Sequence, residues 1–329
     1  MAGGFNVLRD NFDDIYDLRF RAENILGDLM TKPMVSQNLF YVDDTTLKEE
    51  RVSAVGGYSS LDEVGEGEDI PKAVPVQGYD KTYTPLKYAK RIGISLEARQ
   101  DDPKGIFKSL ENQVRKHAKA AQHTAETAAA AIFINAASST SCPDGQYLAD
   151  TQHPKNPDES STVYDNYITD ALADASDIEV MFKKIADNGF DMAGHPLDAS
   201  RWILLVPPAL KGKALGAVKQ LYYPSGNVYA APTPITTGEL MGNITVLDWA
   251  YIGAAMGGSD TAWYFVQDPT EVGSEHSLRF YWRIRPTYMI DGLEPSVDQK
   301  NGDWYVPFLT RFTCGCHDWR HVWMSSGGG

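Results

Sequence analysis

Cysteine is scarce in this chain: three residues among 329. An odd number that small provides no disulfide framework and fits a reducing compartment. Long apolar runs are missing as well. No window of about 18 apolar residues occurs, so no ordinary membrane-spanning helix is expected. The opening MAGGFNVLRDNFDD lacks the basic-then-apolar order of a signal peptide, and no secretion is expected. Positive charge is in deficit, with 30 Lys and Arg against 44 Asp and Glu and a net charge of −14. That balance argues against a general nucleic-acid binder, although not against a protein that merely encloses nucleic acid. No internal repeat is present. An alanine cluster and the closing GGG are the low-complexity tracts.

Motifs of catalysis are equally thin. No GxGxxG follows a strand, and neither GxxxxGK[ST] nor HExxH occurs. Gly57-Tyr58-Ser59-Ser60 lacks the second glycine of a nucleophile elbow. Cys314-Gly315-Cys316-His317 has the residues of a metal cluster. Its cysteines lie two apart on one strand face, however, with no second pair at zinc spacing. Nothing in the sequence brings His153 or His195 near them. The better reading is of small buried strand cysteines. Cys316 and His317 are adjacent in a strand and point to opposite faces, which disfavours a Cys–His nucleophile. Asn243-Ile244-Thr245 is a glycosylation sequon that has meaning only in a secreted protein. No metal, cofactor or enzyme activity is expected; a Cys-dependent or zinc hydrolase using Cys314, Cys316 and His317 is the enzyme alternative.

What is present is ample core material, 43% hydrophobic and 22% charged, arranged around one long helix. Residues 102–138 begin with a capping Asp102 and Pro103 at the first helical position. Phe107, Leu110, Val114, Ala118, Ala121, Ala125, Ala128 and Ile132 then recur at steps of three and four. Such a helix spans roughly 50 Å. Its middle is lined with alanine rather than leucine, so another element can lie close against it. Its first half is basic, with Lys104, Lys108, Arg115, Lys116 and Lys119 against Glu111.

Before the helix, Leu8 to Lys32 reads as a broken amphipathic helix, either an arm laid on a neighbour or a first helix packed on its own core. Residues 40–98 read as two strands flanking an irregular tip rich in Gly, Pro and acid. An isolated hairpin of this kind needs a surface to lie on. Between Asp43 and Asp69 nine acids face two bases; between Lys87 and Lys119 nine bases face four acids. The two segments are complementary, within a chain or between chains. After the helix come a turn around CPDGQYLADT, a helix over 171–188 closed by Gly189, a buried strand over 200–207 and a helix over 208–220. Further strands are expected in NITVLDWAYI, TAWYFVQD, SLRFYWRIRPTYMID and DWYVPFLTRFTCGCHDWRHVWMSS, so the class is α+β.

With this order in hand, the chain resembles a tailed-bacteriophage major capsid protein of the Hong Kong 97-type fold, and is similar to its Mu-like major head subunit branch. RIGISLEARQDDPKGIF leads from strand to long helix, and YLADTQHP follows the helix. DASRWILLVPPAL enters a further domain, and NITVLDWAYI and TAWYFVQD resemble the family's paired strands. HDWRHVWMSS, with Asp318, Trp319 and Arg320, resembles its closing strand. The similarity spans roughly residues 40 to 325.

The resemblance implies an N-terminal arm (1–39), an extended loop or hairpin arm (40–98) and a peripheral domain with the spine helix (99–159). An axial domain (160–285) and C-terminal strands returning to the peripheral domain (286–329) would follow. It implies self-assembly through hexamers and pentamers into an icosahedral shell around double-stranded phage DNA, held without sequence-specific binding. Localisation would be the virion, with assembly in the host bacterial cytoplasm. Scaffolding, portal and possible decoration proteins are the other partners. About 40 residues precede the arm, too few for a fused scaffolding domain, so scaffolding is expected to be separate or removed. Lys72 is the one lysine near the arm tip, and no crosslinking partner for it is identified. The side chains expected at subunit contacts are Glu49, Glu50, Glu63, Glu66 and Glu68 of the arm, with Arg91, Arg99, Arg115 and Lys119. A bacterial nanocompartment (encapsulin-like) shell of the same fold is the alternative within the class.

Overall fold

A computed structural model describes residues 34–95, 97, 103–197, 201–222, 244–288, 296–297 and 304–328. The segment from Leu8 to Lys32, residues 223–243 and Arg99 lie outside the described residues. In chain order come β1 (Tyr41–Asp44), β2 (Glu50–Val55), β3 (Gln77–Tyr83), β4 (Leu86–Ile94) and the long helix α1 (Pro103–Ile134). Short strands β5 (His153–Pro154), β6 (Val163–Tyr164) and β7 (Tyr167–Ile168) follow, then α2 (Ala175–Asn188), β8 (Trp202–Val206) and α3 (Lys211–Tyr222). The last part holds β9 (Ile244–Asp248), β10 (Trp263–Gln267), a single turn α4 (Pro269–Val272), β11 (Leu278–Tyr288), β12 (Ser296–Val297), β13 (Trp304–Cys316) and β14 (Val322–Ser325).

Helix α1 is built from strong helix formers, with neither Gly nor Pro after Gly105. Val114, Ala118, Ala121, Ala125, Ala129, Ile132 and Phe133 are buried on its inner side. Ala128, expected on that face, is only partly buried; Ala129 and Ala130 take the buried positions. The helix stops at Ile134, short of the expected residue 138. The amides of Ser138, Ser139 and Thr140 all turn back to the Asn135 carbonyl. Asn135 Nδ2 and Thr140 Oγ1 then satisfy the Ala131 and Ile132 carbonyls at 2.9 and 3.1 Å, ending the ladder. Likewise α2 begins at Ala175 rather than 171, because Asp174 and Asp177 form a reciprocal cap over its first turn. Gly189 closes it by donating to the Ile185 carbonyl at 2.6 Å.

One sheet runs β7-β14-β10-β8-β9. Every residue of β8, β10 and β14 is buried, as expected for a sheet covered on both faces. Tyr264 and Phe265, adjacent in β10, show how. The Tyr264 ring meets Phe133 of α1 at 5.3 Å and its hydroxyl donates to the Phe133 carbonyl at 2.9 Å. The Phe265 ring faces the other way, onto Phe182 of α2 at 5.4 Å. The expected pairing of the 244–248 and 263–267 strands with each other does not occur. Both flank β8, β9 in parallel and β10 antiparallel. The continuously apolar β8 lies between them, and β10 is the central strand of the five.

The other large sheet is organised by β13, which pairs with β11 along one edge and β4 along the other; β1 joins β11 in parallel. Residues 40–98 are therefore not one two-stranded excursion. β1 and β4 belong to this sheet, and only β2 and β3 pair with each other. Phe280, Trp282 and Phe312 stack on the inner face, reaching α1 through Phe40, which lies 6.0 Å from Phe133 and 6.4 Å from Phe280. A turn of 3₁₀ helix, Val35–Asn38, is held against α1 by buried Glu126, whose Oε1 accepts from Ser36 N and Oγ at 3.3 and 3.2 Å.

The closing segment locks these parts together. The Arg320 side chain, 3% exposed, pairs with Asp318 at 2.9 Å and donates to the Phe190 and Lys155 carbonyls at 2.8 and 2.6 Å. The Trp319 ring stacks on His153 at 4.6 Å, and His153 Nδ1 meets Asp144 at 2.7 Å. Burial raises the Asp318 pKa, but Arg320, the neighbouring His321 and His317 and the Trp319 amide together outweigh it and hold the carboxyl below its usual value. Beside this knot His276 and His321 stack at 5.4 Å, with His317 in the same cluster. Burial, then neighbouring histidines and arginines, pushes them down, His276 and His317 to about 4 and His321 to about 3. Contacts with backbone carbonyls (for His276 and His317) and with Asp318 (for His317 and His321) oppose this only in part.

Two outcomes follow. Burial raises the Glu126 pKa, so ionisation is less favourable folded than unfolded, and its contribution is lost as pH rises through the folded value. Glu126→Gln should raise the thermal midpoint at pH 7 and lose that advantage near pH 4, as read by scanning calorimetry. The histidines have the opposite sign. The unfolded chain takes up protons below about pH 6.5 that the native cluster refuses, costing about 1.4 kcal/mol per pH unit for each proton. Urea titrations should therefore show stability falling from pH 6.5 toward 4, with a shallower slope in His321→Gln.

Candidate assembly surface

The β2–β3 ribbon leaves the body of the protein from a buried base. Glu50 opposes Tyr83 and Ser53 opposes Asp80, with a register shift before Val55. Gly78 is required at that irregularity, since a Cβ there would lie 2.4 Å from the Ala54 carbonyl oxygen. Arg51 pairs with Asp80 across the ribbon, and hydrogen bonds from Ser53 and Arg51 hold the Asp80 carboxyl below its usual pKa. At the base Tyr83, 3% exposed, tilts onto Tyr281 at 5.4 Å. Gly315 makes room for it: a Cβ would sit 2.9 Å from the Tyr83 ring. Burial lifts the Tyr83 phenol far above its usual pKa. Lys81 Nζ donates to the Ser141 carbonyl at 3.1 Å, tying the ribbon to the turn after α1.

Beyond the base the chain contacts little of its own fold. Every residue from 57 to 75 is exposed. A turn at Gly65 to Glu68 is closed by the Glu68 amide on the Gly65 carbonyl at 3.2 Å, with Gly67 at φ 86°. Near the ribbon, Ser60 Oγ meets His195 Nε2 at 3.2 Å. Leu61 is 97%, Ile70 87% and Val74 70% exposed. Large apolar side chains held this far from any core mark an interaction surface. They were missed as site residues in the sequence. The available signal was isolated aliphatics within an acidic, Gly- and Pro-rich stretch.

The residues expected at contacts fall on two separate surfaces. Glu63, Glu66 and Glu68 are exposed on the excursion, and Glu49 is exposed beside β2. Glu50 is half-buried and accepts from Thr45 Oγ1 at 2.7 Å, a contact internal to the arm base. Arg115 and Lys119 are exposed on α1 with Lys116 between them. Arg91 lies on β4 with its guanidinium 4.2 Å from the Tyr305 ring centre. Among the described residues no ion pair joins these acids to Arg91, Arg115 or Lys119. Between α1 and β4 lies a groove of ≈ 350 Å³ lined by Tyr88, Ala120, Ala121 and Phe308, with Lys87 and Lys90 among its other residues.

The Cys–His alternative finds no support in the geometry. Burial lifts the Cys314 thiol to about 12. Cys316 Sγ contacts Cys142 Sγ at 3.5 Å, and the His317 amide donates to the Ser277 carbonyl. His153 is engaged by Asp144, and His195 by Asp191 and Ser60. Among the described residues no group of three or more His, Cys, Asp or Glu is placed to hold a metal ion. No described helix is long and apolar enough to cross a membrane.

Comparison with known proteins accounts for this architecture. A family model described as phage capsid protein matches residues 78–320. No curated protein matches the chain. Among solved structures, the capsid of the cyanophage P-SCSP1u is 10% identical, covers 89% of this chain and 88% of its own, and superposes with a TM-score of 0.54, sharing the fold. The procapsid of bacteriophage JBD30 is 14% identical over 94% of this chain and 74% of that one, with a TM-score of 0.48. The capsid of an empty GTA particle is 11% identical over 87% of each, at 0.49. The chain, an α+β protein of the Hong Kong 97-type fold, belongs to the phage capsid protein family.

Proposed function

We propose that this chain is the major head subunit of a tailed phage of the Mu-like branch, assembling through hexamers and pentamers into an icosahedral shell around double-stranded DNA. The observation that carries the reading is the excursion over 57–75, exposed throughout yet bearing Leu61, Ile70 and Val74. A neighbouring subunit would cover it. Covering one such side chain is worth about 1.5–3 kcal/mol, against about 0–1 kcal/mol for a surface ion pair. The aliphatics would thus supply affinity, while Glu49, Glu50, Glu63, Glu66 and Glu68 select orientation against Arg91, Arg99, Arg115 and Lys119 of a neighbour. Closure multiplies these modest contacts over every subunit.

In this reading residues 1–39 are an arm to a neighbour and 40–98 the extended loop. Residues 99–159 form the peripheral domain, 160–285 the axial domain and 286–329 the returning strands. The acidic surface encloses DNA without gripping it. The role is structural rather than enzymatic. Assembly takes place in the host cytoplasm with separate scaffolding and portal proteins, and decoration proteins are compatible with it.

Negative-stain microscopy with sedimentation of the purified chain tests the proposal. Shells tens of nanometres across, or capsomers that convert to them, are expected, with DNA in particles from infected cells. Leu61→Ser with Ile70→Ser should abolish closed shells, and Glu66→Lys with Glu68→Lys should reduce their yield. Both pairs should leave unfolding of the single chain within about 0.5 kcal/mol of wild type, being surface changes. Unchanged assembly in the aliphatic pair would remove the excursion from the contact.

A further inference from the structure

We propose that Cys142 and Cys316 are a covalent modification site, an oxidisable thiol pair that closes into an intrachain disulfide and staples the turn after α1 to the end of β13. Their sulfurs stand 3.5 Å apart, on residues 174 positions apart in sequence. Both side chains are buried, at 4% and 2% exposure. A disulfide is about 2.05 Å long, so the sulfurs need to approach by only about 1.5 Å. Cys142 opens a tight turn, its amide donating to the Gln146 carbonyl at 2.8 Å, and Cys316 is the last residue of β13. Cys314, two residues earlier on that strand, has no sulfur partner and serves as an internal control.

The pair is chemically asymmetric. A hydrogen bond links the two sulfurs, and with Cys142 as its donor it favours the thiolate on Cys316, against the opposing effect of burial. Lys81 adds its positive charge from the ribbon, where its ammonium is held on the Ser141 carbonyl. Cys316 is therefore the attacking sulfur. With a peroxide as oxidant, the Cys316 thiolate attacks one peroxide oxygen. The O–O bond breaks, hydroxide leaves and takes up a proton, and Cys316 becomes a sulfenic acid. The Cys142 sulfur, giving up its proton, then attacks the sulfenic sulfur and displaces its hydroxyl as a second water. The two sulfurs together lose two electrons, and the peroxide is reduced to two waters. The bond would close a loop containing the whole β7-β14-β10-β8-β9 sheet except β14, restricting the unfolded chain. The inference rests on a contact within one subunit, so it stands or falls independently of shell formation.

The test treats the purified full chain with hydrogen peroxide, removes the oxidant, and alkylates in denaturant without reductant before peptide mapping. The expected result is one crosslinked pair of peptides containing Cys142 and Cys316, lighter by two hydrogens, with Cys314 alkylated. The thermal midpoint should rise by on the order of 5 °C and return on adding dithiothreitol. Cys314→Ala should keep both the crosslink and the gain; Cys142→Ser should lose both. Full alkylation of all three cysteines, a crosslink through Cys314, or sulfinic acid at Cys316 with no bridge would overturn the proposal. The wild-type map decides the matter even if Cys142→Ser does not fold.

Discussion

Close approach to α1 is the constraint that both large sheets share. Alanine at positions 118, 121, 125, 129, 130 and 136 keeps the buried side of the helix and its exit thin. Phe133 then serves as a common anchor, reaching Phe40 and Trp249 at 6.0 Å and Tyr264 at 5.3 Å. Larger side chains along that line would hold the sheets apart, and overpacking a close contact costs about 1–3 kcal/mol. The helix is long because two separate bodies of strand must be spanned by one rigid element. It is small-sided because they must lie close to it.

The ribbon illustrates a division between support and contact. Its base is fixed by Tyr83 under Tyr281, by the space that Gly315 leaves and by Lys81 on the Ser141 carbonyl. Its far end has few internal partners and carries the most exposed aliphatics of the described chain. A subunit that must present a long projection to a neighbour needs both properties. The base prevents the projection from collapsing onto its own core, and the far end keeps its apolar area for association.

Charge is distributed with the same economy. Asp318 and Arg320 are buried and paired, whereas the acids of the excursion and Arg115, Lys116 and Lys119 of α1 remain in solvent. Exposed charges cost little while unpaired and contribute a little each when matched. They suit reversible recognition better than the buried knot does. That knot, built from a short closing motif, ties the turns near Lys155 and Phe190 to the C-terminal strand.

Periodicity and capping chemistry determined much of this protein from sequence alone. The steps through Val114, Ala118, Ala121 and Ala125 marked the helix and its buried side, and the continuous apolar run over 200–207 marked β8 as a buried strand. Gly189 marked the end of α2, and the cluster of acids marked the projecting arm. These are local properties, set by neighbours three or four residues away or by alternation along a strand. Strand partners were not legible. That β8 separates β9 from β10, that β1 and β4 flank the β11–β13 pair, and that Cys142 meets Cys316 all depend on which apolar faces bury one another across long separations. Exposure of Leu61, Ile70 and Val74 was equally hidden, because a leucine in a loop reads the same whether it packs or projects. The sequence alone determined the long helix with most of its buried side and the buried strand β8; the tertiary structure decided strand pairing and which apolar groups were left for another molecule, because both depend on burial between residues distant along the chain.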